Sequence, residues 1–147
     1  MGILSIMSLS QLIYTSTCTA EMTPRMSHLM ALQSVNICQR YGLTGRAFAN
    51  DISAFAITEG PTEIAKKYLH AVEADPLVET LLLHVDRPIE RREFSDFSVW
   101  LNSRASFDFG PFVGVLTPES FQAAMPVNPS PRLRIMTEAF KYEVLAA

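Results

Sequence analysis

The chain contains few cysteines and histidines, and their spacing matches no recognisable catalytic or metal-binding set. Two cysteines, Cys18 and Cys38, form no C-x-x-C pair. Neither they nor the histidines, His28, His70 and His84, have the short spacings typical of zinc ligands. We therefore expect no metal site, no catalytic centre, and two reduced thiols in a reducing cytoplasm.

Three side chains each allow a functional and a structural interpretation. Tyr14 either contacts a ligand or is a buried aromatic residue whose hydroxyl has a partner. Cys38 is either a redox-active or adduct-forming thiol or a buried structural one. His84 is either a ligand or acid–base group or simply a hydrogen-bonded residue. We favour the structural interpretation for all three, since isolated side chains of these types are more often structural.

Length and charge exclude several classes of protein. The chain has 147 residues, of which 48% are hydrophobic and 18% charged, as expected of one globular domain. The net charge is −3, and only Arg87, Arg91 and Arg92 approach a basic patch, so we expect no binding to nucleic acids. No run of about 18 uninterrupted apolar residues is present, so we expect no membrane span.

Hydrophobic periodicity predicts an α+β fold. The predicted strands are 9–15, 43–49, 54–59, 77–85 and 93–101, and the predicted helices are 23–41 and 61–75. Thr23 caps the first helix and Gly42 ends it. The order β-α-β-β-α-β-β begins with the ferredoxin-like pattern, an antiparallel sheet with both helices on one face.

The second face of that sheet also needs a cover. Strands 54–59 and 77–85 are apolar on both faces. Two C-terminal segments with helical spacing, 118–125 and 131–145, are the candidates. We expect both to cover the second face. This divides the chain into a ferredoxin-like part, 1–103, and a helical extension of the same domain, 104–147.

Small acyl-phosphate hydrolases share this fold class and therefore offer an enzymatic alternative. Such an enzyme needs an arginine-containing phosphate loop beside the first strand. Residues 16–21 read STCTAE, with no Arg, Lys or Gly. Because this phosphate loop is missing, we expect the protein not to be an enzyme. The shared fold alone would not establish activity in any case.

Five short motifs resemble those of the BLUF domain, a small flavin-based blue-light sensor. They are LIYTS at 12–16, GLTG at 42–45, TEGP at 58–61, Asp75 at the end of the second helix, and RREFSDF at 91–97. All five occur in the family's order and on the expected elements. The resemblance covers roughly residues 8–100, and the family often adds two C-terminal helices.

The resemblance implies a flavin between the two helices, sensed by a Tyr on the first strand, a Gln on the third and an Asn late in the first helix. Glutamine suits this role because its amide carries both a donor and an acceptor. Tyr14 matches the Tyr, whereas the Gln position is Ala56 and the Asn position is Ile37, followed by Cys38. Asn36 lies one residue early, about 100° around the helix, and is expected to face elsewhere.

Further positions implied by the resemblance also differ. The Arg that meets the flavin tail corresponds to Ala71, and the Trp and Met of the fifth strand correspond to Phe97 and Val99. Each unpaired polar atom of a buried flavin costs on the order of 1–3 kcal/mol. FAD is therefore a possible cofactor, bound more weakly than usual. Because Ala56 has no amide, we do not expect the Tyr–Gln photocycle.

Two packing questions remain open in the sequence. If the hairpin turn has two residues, Ala47 and Ala49 lie beside Ala56 and Ala54 on the face of Tyr14. These alanines either line a small-walled cavity or let the first helix pack closer, and we favour the second because cores rarely keep voids.

Arg46, on the opposite face, needs a partner. It either pairs with the C-terminal helices or another subunit, or lies at an exposed edge.

The sequence thus leaves two functions from different classes. One is a sensory and signalling domain that acts by binding a protein partner, as a homo-oligomer, with 111–116 as an exposed apolar segment. The other is an FAD-binding blue-light photoreceptor with altered chemistry. Tyr14 favours the photoreceptor, whereas Ala56, Ile37 and Ala71 favour the partner-binding domain.

Overall fold

A computed structural model describes residues 8–102 and 110–145 of the chain. The strands are β1 Leu9–Cys18, β2 Thr44–Ala49, β3 Ser53–Pro61, β4 Val78–Ile89, β5 Phe97–Leu101 and β6 Val113–Val115. The helices are α1 Pro24–Arg40, α2 Thr62–Ala74, α3 Pro118–Ala124 and α4 Pro131–Leu145. The predicted order β-α-β-β-α-β-β and the two C-terminal helices are confirmed. The predicted boundary at 103/104 lies outside the described residues.

The strands form one sheet in the order β4-β1-β3-β2-β5-β6. The first four are antiparallel neighbours, as in the ferredoxin-like fold, and β5 and β6 extend the sheet in parallel. In β1 and β3, Gln11 pairs with Glu59 and Tyr14 with Ala56. Because side chains alternate along a strand, these two pairs lie on opposite faces of the sheet.

Local sequence explains where α1 and the β2–β3 hairpin begin and end. The hydroxyl of Thr23 accepts a hydrogen bond from the backbone N–H of Met26 at 3.2 Å, which caps α1. Gly42, at φ 72°, follows the helix. In the hairpin, the side-chain oxygen of Asn50 accepts bonds from the N–H groups of Ile52 and Ser53.

The second glycine of the GLTG motif is required by close packing of two strands. Gly45 has φ 143°, and a Cβ atom there would lie 1.9 Å from the carbonyl oxygen of Ile57 on β3. No other residue fits this position without shifting the backbone. The motif thus has a structural role in the hairpin.

Two hydrophobic cores lie on opposite faces of the sheet. The face covered by α1 and α2, here called the cleft face, includes Leu12, Val35 and Phe97. The face covered by α3 and α4, here called the tail face, includes Phe48, Phe55 and Phe121. The rings of Phe48 and Phe121 lie 4.4 Å apart between centroids. The prediction that the C-terminal helices cover the second face is confirmed.

Three strand predictions need correction. Residues 77–85 were expected to be buried on both faces, but β4 is an edge strand beyond β1, and Leu82 and Leu83 are 61% and 43% exposed. The fifth strand begins at Phe97 because the N–H groups of residues 93 and 94 bind the carboxylate of Glu59 instead of a neighbouring strand. Part of the expected exposed segment 111–116 forms β6, which was not predicted.

Candidate functional site

A cleft of about 760 Å³ lies between α1 and α2 above the cleft face. Its floor includes four alanines on β2 and β3: Ala47, Ala49, Ala54 and Ala56. They pair in the predicted register, 47 with 56 and 49 with 54. The volume falls within the range of about 300–1,000 Å³ that small-molecule sites occupy.

The expectation that α1 closes over these alanines is wrong. The first helix packs mainly against β5, and α2 packs against β1, β3 and β4. The alanine floor lies on β2 and β3, and the small side chains there line an open cleft. Ala56 is nevertheless part of the cleft-face core, and Ala47 and Ala49 pack against that core.

Tyr14 forms part of the cleft wall and is 4% exposed. Its hydroxyl lies 3.4 Å from the Thr58 hydroxyl, a long hydrogen bond. Burial raises the pKa of Tyr14 to about 12, with the Thr58 bond lowering it and Cys38 raising it to smaller extents. The phenol is therefore neutral at ordinary pH. Both interpretations of Tyr14 survive, since the side chain is buried with a partner and also faces the cleft.

The residues implied by the resemblance occupy distinct positions. Ala56 lies directly opposite Tyr14 on β3, and Ile37 lines the cleft from α1. Asn36 is exposed and outside the cleft lining, as its helical position predicted. Ala71 lines the cleft from α2.

Cys38 follows Ile37 but points into the core, where it is fully buried. Burial raises the pKa of its thiol to about 12, and a hydrogen bond with Tyr68 lowers it by a smaller amount. A thiol of such high pKa is unreactive at neutral pH. The structural interpretation of Cys38 is therefore the one that its surroundings support.

Two other polar groups of the cleft lining already have partners. The buried hydroxyl of Tyr68 interacts with Ser34 and Cys38, and burial raises its pKa well above the usual value. The amide nitrogen of Asn50 donates to the carbonyl oxygen of Glu143 at 2.7 Å. Ser16, Ser27, Gln33 and Ser53 also line the cleft and supply further hydroxyl and amide groups.

A dense polar cluster lies on the tail face, and sequence reasoning missed it. Gln11 and Glu59 are fully buried. The amide of Gln11 donates to the carboxylates of Glu59 and Glu93, 2.8 Å each, and accepts a bond from Arg87 at 2.9 Å. Glu93 also accepts bonds from the N–H and hydroxyl of Ser130, at the start of α4. This network of Gln11, Glu59, Arg87, Glu93 and Ser130 joins the sheet to the last helix.

The carboxylate of Glu59 organises the loop before β5. It accepts the backbone N–H groups of Glu93 at 2.9 Å and Phe94 at 3.0 Å. Burial raises the pKa of Glu59, and the bonds from Gln11, Phe94 and Glu93 lower it by smaller amounts. The only sequence signal was a charged residue in the TEGP motif beside a polar residue on the same face of β1.

Arg46 and His84, whose roles the sequence left open, both contact the C-terminal helices. Arg46 donates to the carbonyl oxygen of Ala124 on α3 at 2.8 Å and pairs with Asp96 at 2.7 Å. His84 hydrogen-bonds the hydroxyl of Thr15 at 2.7 Å and lies against the ring of Phe140. Both side chains therefore attach the tail face to the C-terminal helices.

Two absences apply to residues 8–102 and 110–145 alone. No group of three or more His, Cys, Asp or Glu side chains in these ranges is arranged to hold a metal ion. None of the helices in the same ranges is long and apolar enough to cross a membrane.

Comparison with known proteins decides the family. A family model described as sensors of blue light using FAD matches residues 9–100, which is more than half of the chain. The chain belongs to the BLUF family. No curated protein matches the chain significantly. The BLUF match covers β1 to β5, and therefore both the cleft and most of the polar network.

Solved structures share the BLUF fold at low sequence identity. BlrB, a BLUF protein in its dark state, is 22% identical over 67% of this chain and 76% of its own, with a TM-score of 0.60. The BLUF domain of BlrP1 is 16% identical over 93% and 90%, with a TM-score of 0.68. A bacterial light-regulated adenylyl cyclase is 16% identical over 92% of this chain, which spans only 36% of the cyclase, with a TM-score of 0.62.

Proposed function

We propose that this protein is a BLUF-type signalling domain that acts by binding a protein partner and lacks the usual Tyr–Gln response to blue light. One observation carries the proposal: Ala56 lies opposite Tyr14, at the position where the BLUF resemblance expects a glutamine. A methyl group has neither donor nor acceptor, so no amide rearrangement can follow proton transfer from Tyr14.

Weak flavin binding follows from the same cleft. Ala56, Ile37 and Ala71 replace the three polar groups that the resemblance expects around a flavin. Losing two or three hydrogen bonds to a buried ring weakens binding by several powers of ten. A bound FAD would contact Tyr14 and the alanine floor. It would meet no side-chain amide or guanidinium at these three positions.

Restoring polar groups tests the loss of the site. The double variant Ala56→Gln, Ile37→Asn should raise the amount of FAD that the purified protein retains, measured by absorbance after denaturation. A matched control is Asn36→Ala, because Asn36 is exposed and lies outside the cleft. Equal FAD content in the double variant and the wild type contradicts this interpretation of the cleft.

An FAD-binding photoreceptor with altered chemistry is the second candidate, favoured by the open cleft of about 760 Å³. A protein that had lost its ligand would gain stability by filling such a space. The two candidates differ in one observable property, since only the photoreceptor retains stoichiometric FAD through purification.

The partner is inferred from related architectures. In the light-regulated adenylyl cyclase, a region like this chain accounts for about a third of the protein. We infer a signalling protein as partner of this chain and no catalytic activity of its own. We also infer that residues 1–103 form the sensory part and 104–147 its extension, and that the protein acts in the cytoplasm, where its two free cysteines stay reduced.

A homo-oligomer is part of the same proposal. Among the described strands, β4 pairs only with β1, and its free edge carries the exposed Leu82 and Leu83. The unpaired backbone groups of an edge strand readily pair with another strand, and a second copy of β4 is the occupant we infer. Leu83→Lys should convert a dimer to monomer in light scattering coupled to gel filtration. The control Val127→Lys alters a still more exposed residue outside the strand, 95% against 43% for Leu83. A dimer that survives Leu83→Lys, or that is lost in the control alone, contradicts the assignment.

A further inference from the structure

The cleft keeps its volume while most of the polar groups expected around a flavin are absent. The alanine floor of Ala47, Ala49, Ala54 and Ala56 spans two neighbouring strands. Four side chains of one carbon each make a flat surface, and the opposite wall includes apolar residues such as Ile37 and Met30. A flat apolar floor under apolar walls suits a planar ring system.

Three of the hydrogen-bonding groups that line this space are already used within the protein. The Tyr14 hydroxyl has Thr58 as partner, Tyr68 has Ser34 and Cys38, and Asn50 bonds the backbone. Ser16, Ser27, Gln33 and Ser53 also line the cleft, although most of its lining is apolar. A ring with many polar edge atoms would leave those that lie over the alanine floor unpaired, and each such atom costs binding energy. A ring with at most one or two polar atoms meets no such cost.

The mouth of the cleft carries one cation. Lys67 and Asp75 are the charged members of the described lining. The Asp75 carboxylate accepts the N–H of Leu77 at 2.9 Å. Lys67 is exposed and forms no ion pair within residues 8–102 and 110–145. An anionic group on the outer end of a ligand would find Lys67 without a competing partner.

We propose that the cleft binds a planar, weakly polar aromatic acid, with its ring on the alanine floor and its carboxylate at Lys67. The inference rests on the proposed loss of the flavin site, since a cleft that held FAD would have no room for this ligand. It deepens that function by giving the signalling domain a chemical class of input other than flavin.

Two neutral probes of similar shape test whether the cleft prefers a weakly polar ring to a polar one. Anthracene methanol and lumiflavin are both tricyclic and uncharged, but only lumiflavin has nitrogen and carbonyl groups along its edges. Titration of the purified full chain, followed by probe fluorescence, should give anthracene methanol an affinity at least about tenfold higher than lumiflavin. Equal affinities, or tighter binding of lumiflavin, overturn the proposal.

Two substitutions test whether the ring of the ligand lies on the alanine floor and whether its carboxylate binds Lys67. Ala49→Phe occupies the floor and should reduce the affinity for anthracene carboxylate by about tenfold or more. Lys67→Met should reduce it by about threefold, because an exposed ion pair contributes little. Lys67→Met should leave the affinity for anthracene methanol unchanged. The matched control is Lys66→Met, since Lys66 lies on the same helix outside the lining and approaches Asp86 at 3.7 Å.

The outcomes separate this inference from the proposed function. No binding of either anthracene, or binding unaffected by Ala49→Phe and Lys67→Met alike, overturns the aromatic-acid site and leaves the signalling function standing. Tight FAD binding with a reversible light response overturns the proposed function and the inference together. Because Lys67 is exposed, its variant is expected to fold, and circular dichroism of the variant verifies this.

Discussion

The two faces of the sheet differ in how they treat the polar groups of the same two strands. On the tail face, Gln11 of β1 and Glu59 of β3 are fully buried within a network of short hydrogen bonds. On the cleft face, three residues away along each strand, Tyr14 has one long bond and faces Ala56. Polar groups inside a closed core must keep their partners, whereas those lining an open cleft are replaced at little cost to folding.

We expect the largest loss of stability from a substitution that breaks the hydrogen-bond network on the tail face. Gln11→Leu leaves the Glu59 carboxylate without one donor and the Arg87 guanidinium without one acceptor. We expect the free energy of unfolding to fall by about 3 kcal/mol. The control Gln39→Leu changes an exposed glutamine on α1 and should cost about 0.5 kcal/mol or less. The free energy of unfolding of both variants is measured by denaturant unfolding. A similarly small loss of stability in the two variants would show that the network contributes little.

The second prediction compares how tightly the two faces are packed, by making the same Ala→Ile substitution once on each face. Ala124 on α3 is 8% exposed and packed within the tail-face core. Ala124→Ile should cost about 1–3 kcal/mol by overpacking. Ala47→Ile points into the open cleft, where the β-branched side chain suits a strand, and should change stability by about 0.5 kcal/mol or less. Equal losses in thermal or denaturant unfolding would mean that the cleft is closed in solution.

The third prediction concerns alkaline pH and Tyr14. Its pKa is about 12 in the folded protein, against an ordinary value of 10.0. A pKa raised by folding gives stability that is complete below pH 10 and is lost as the pH rises toward 12. Between pH 9 and pH 11, the wild type should lose about 1.4 kcal/mol more unfolding free energy than Tyr14→Phe. Tyr68 is present in both proteins, and burial, the main cause of its raised pKa, is common to both. Parallel pH profiles for the two proteins would contradict the burial of this phenol.

The same contrast explains what the sequence could predict. Period-two and helical spacing gave the element order, and the hairpin register followed from placing Ala47 opposite Ala56. These are local features, and alternation alone decides them. The face of Asn36 was likewise predictable from helix geometry. Motif order then identified the BLUF family.

Long-range choices were not predictable in this way. The carboxylate of Glu59 binds the backbone N–H of Glu93, 34 residues later in the chain, and β5 begins only at Phe97. Nothing in the sequence near residue 93 indicates this contact. The first helix packs mainly against β5, a strand far away in the chain, and the spacing of residues within the helix does not indicate this contact. The exposure of β4 depends on its place at the edge of the sheet, whereas its apolar sequence resembles that of a central strand.

The light-minus-dark absorption spectrum of the protein saturated with FAD is the most direct test of the proposed function. Blue light should produce no reversible red shift of the flavin band in the wild type, because Ala56 provides no amide to rearrange. The variant Ala56→Gln, Ile37→Asn serves as the comparison, with flavin content matched between samples. A red shift in the wild type that recovers in the dark would mean that light sensing survives through another residue, and would contradict the proposal.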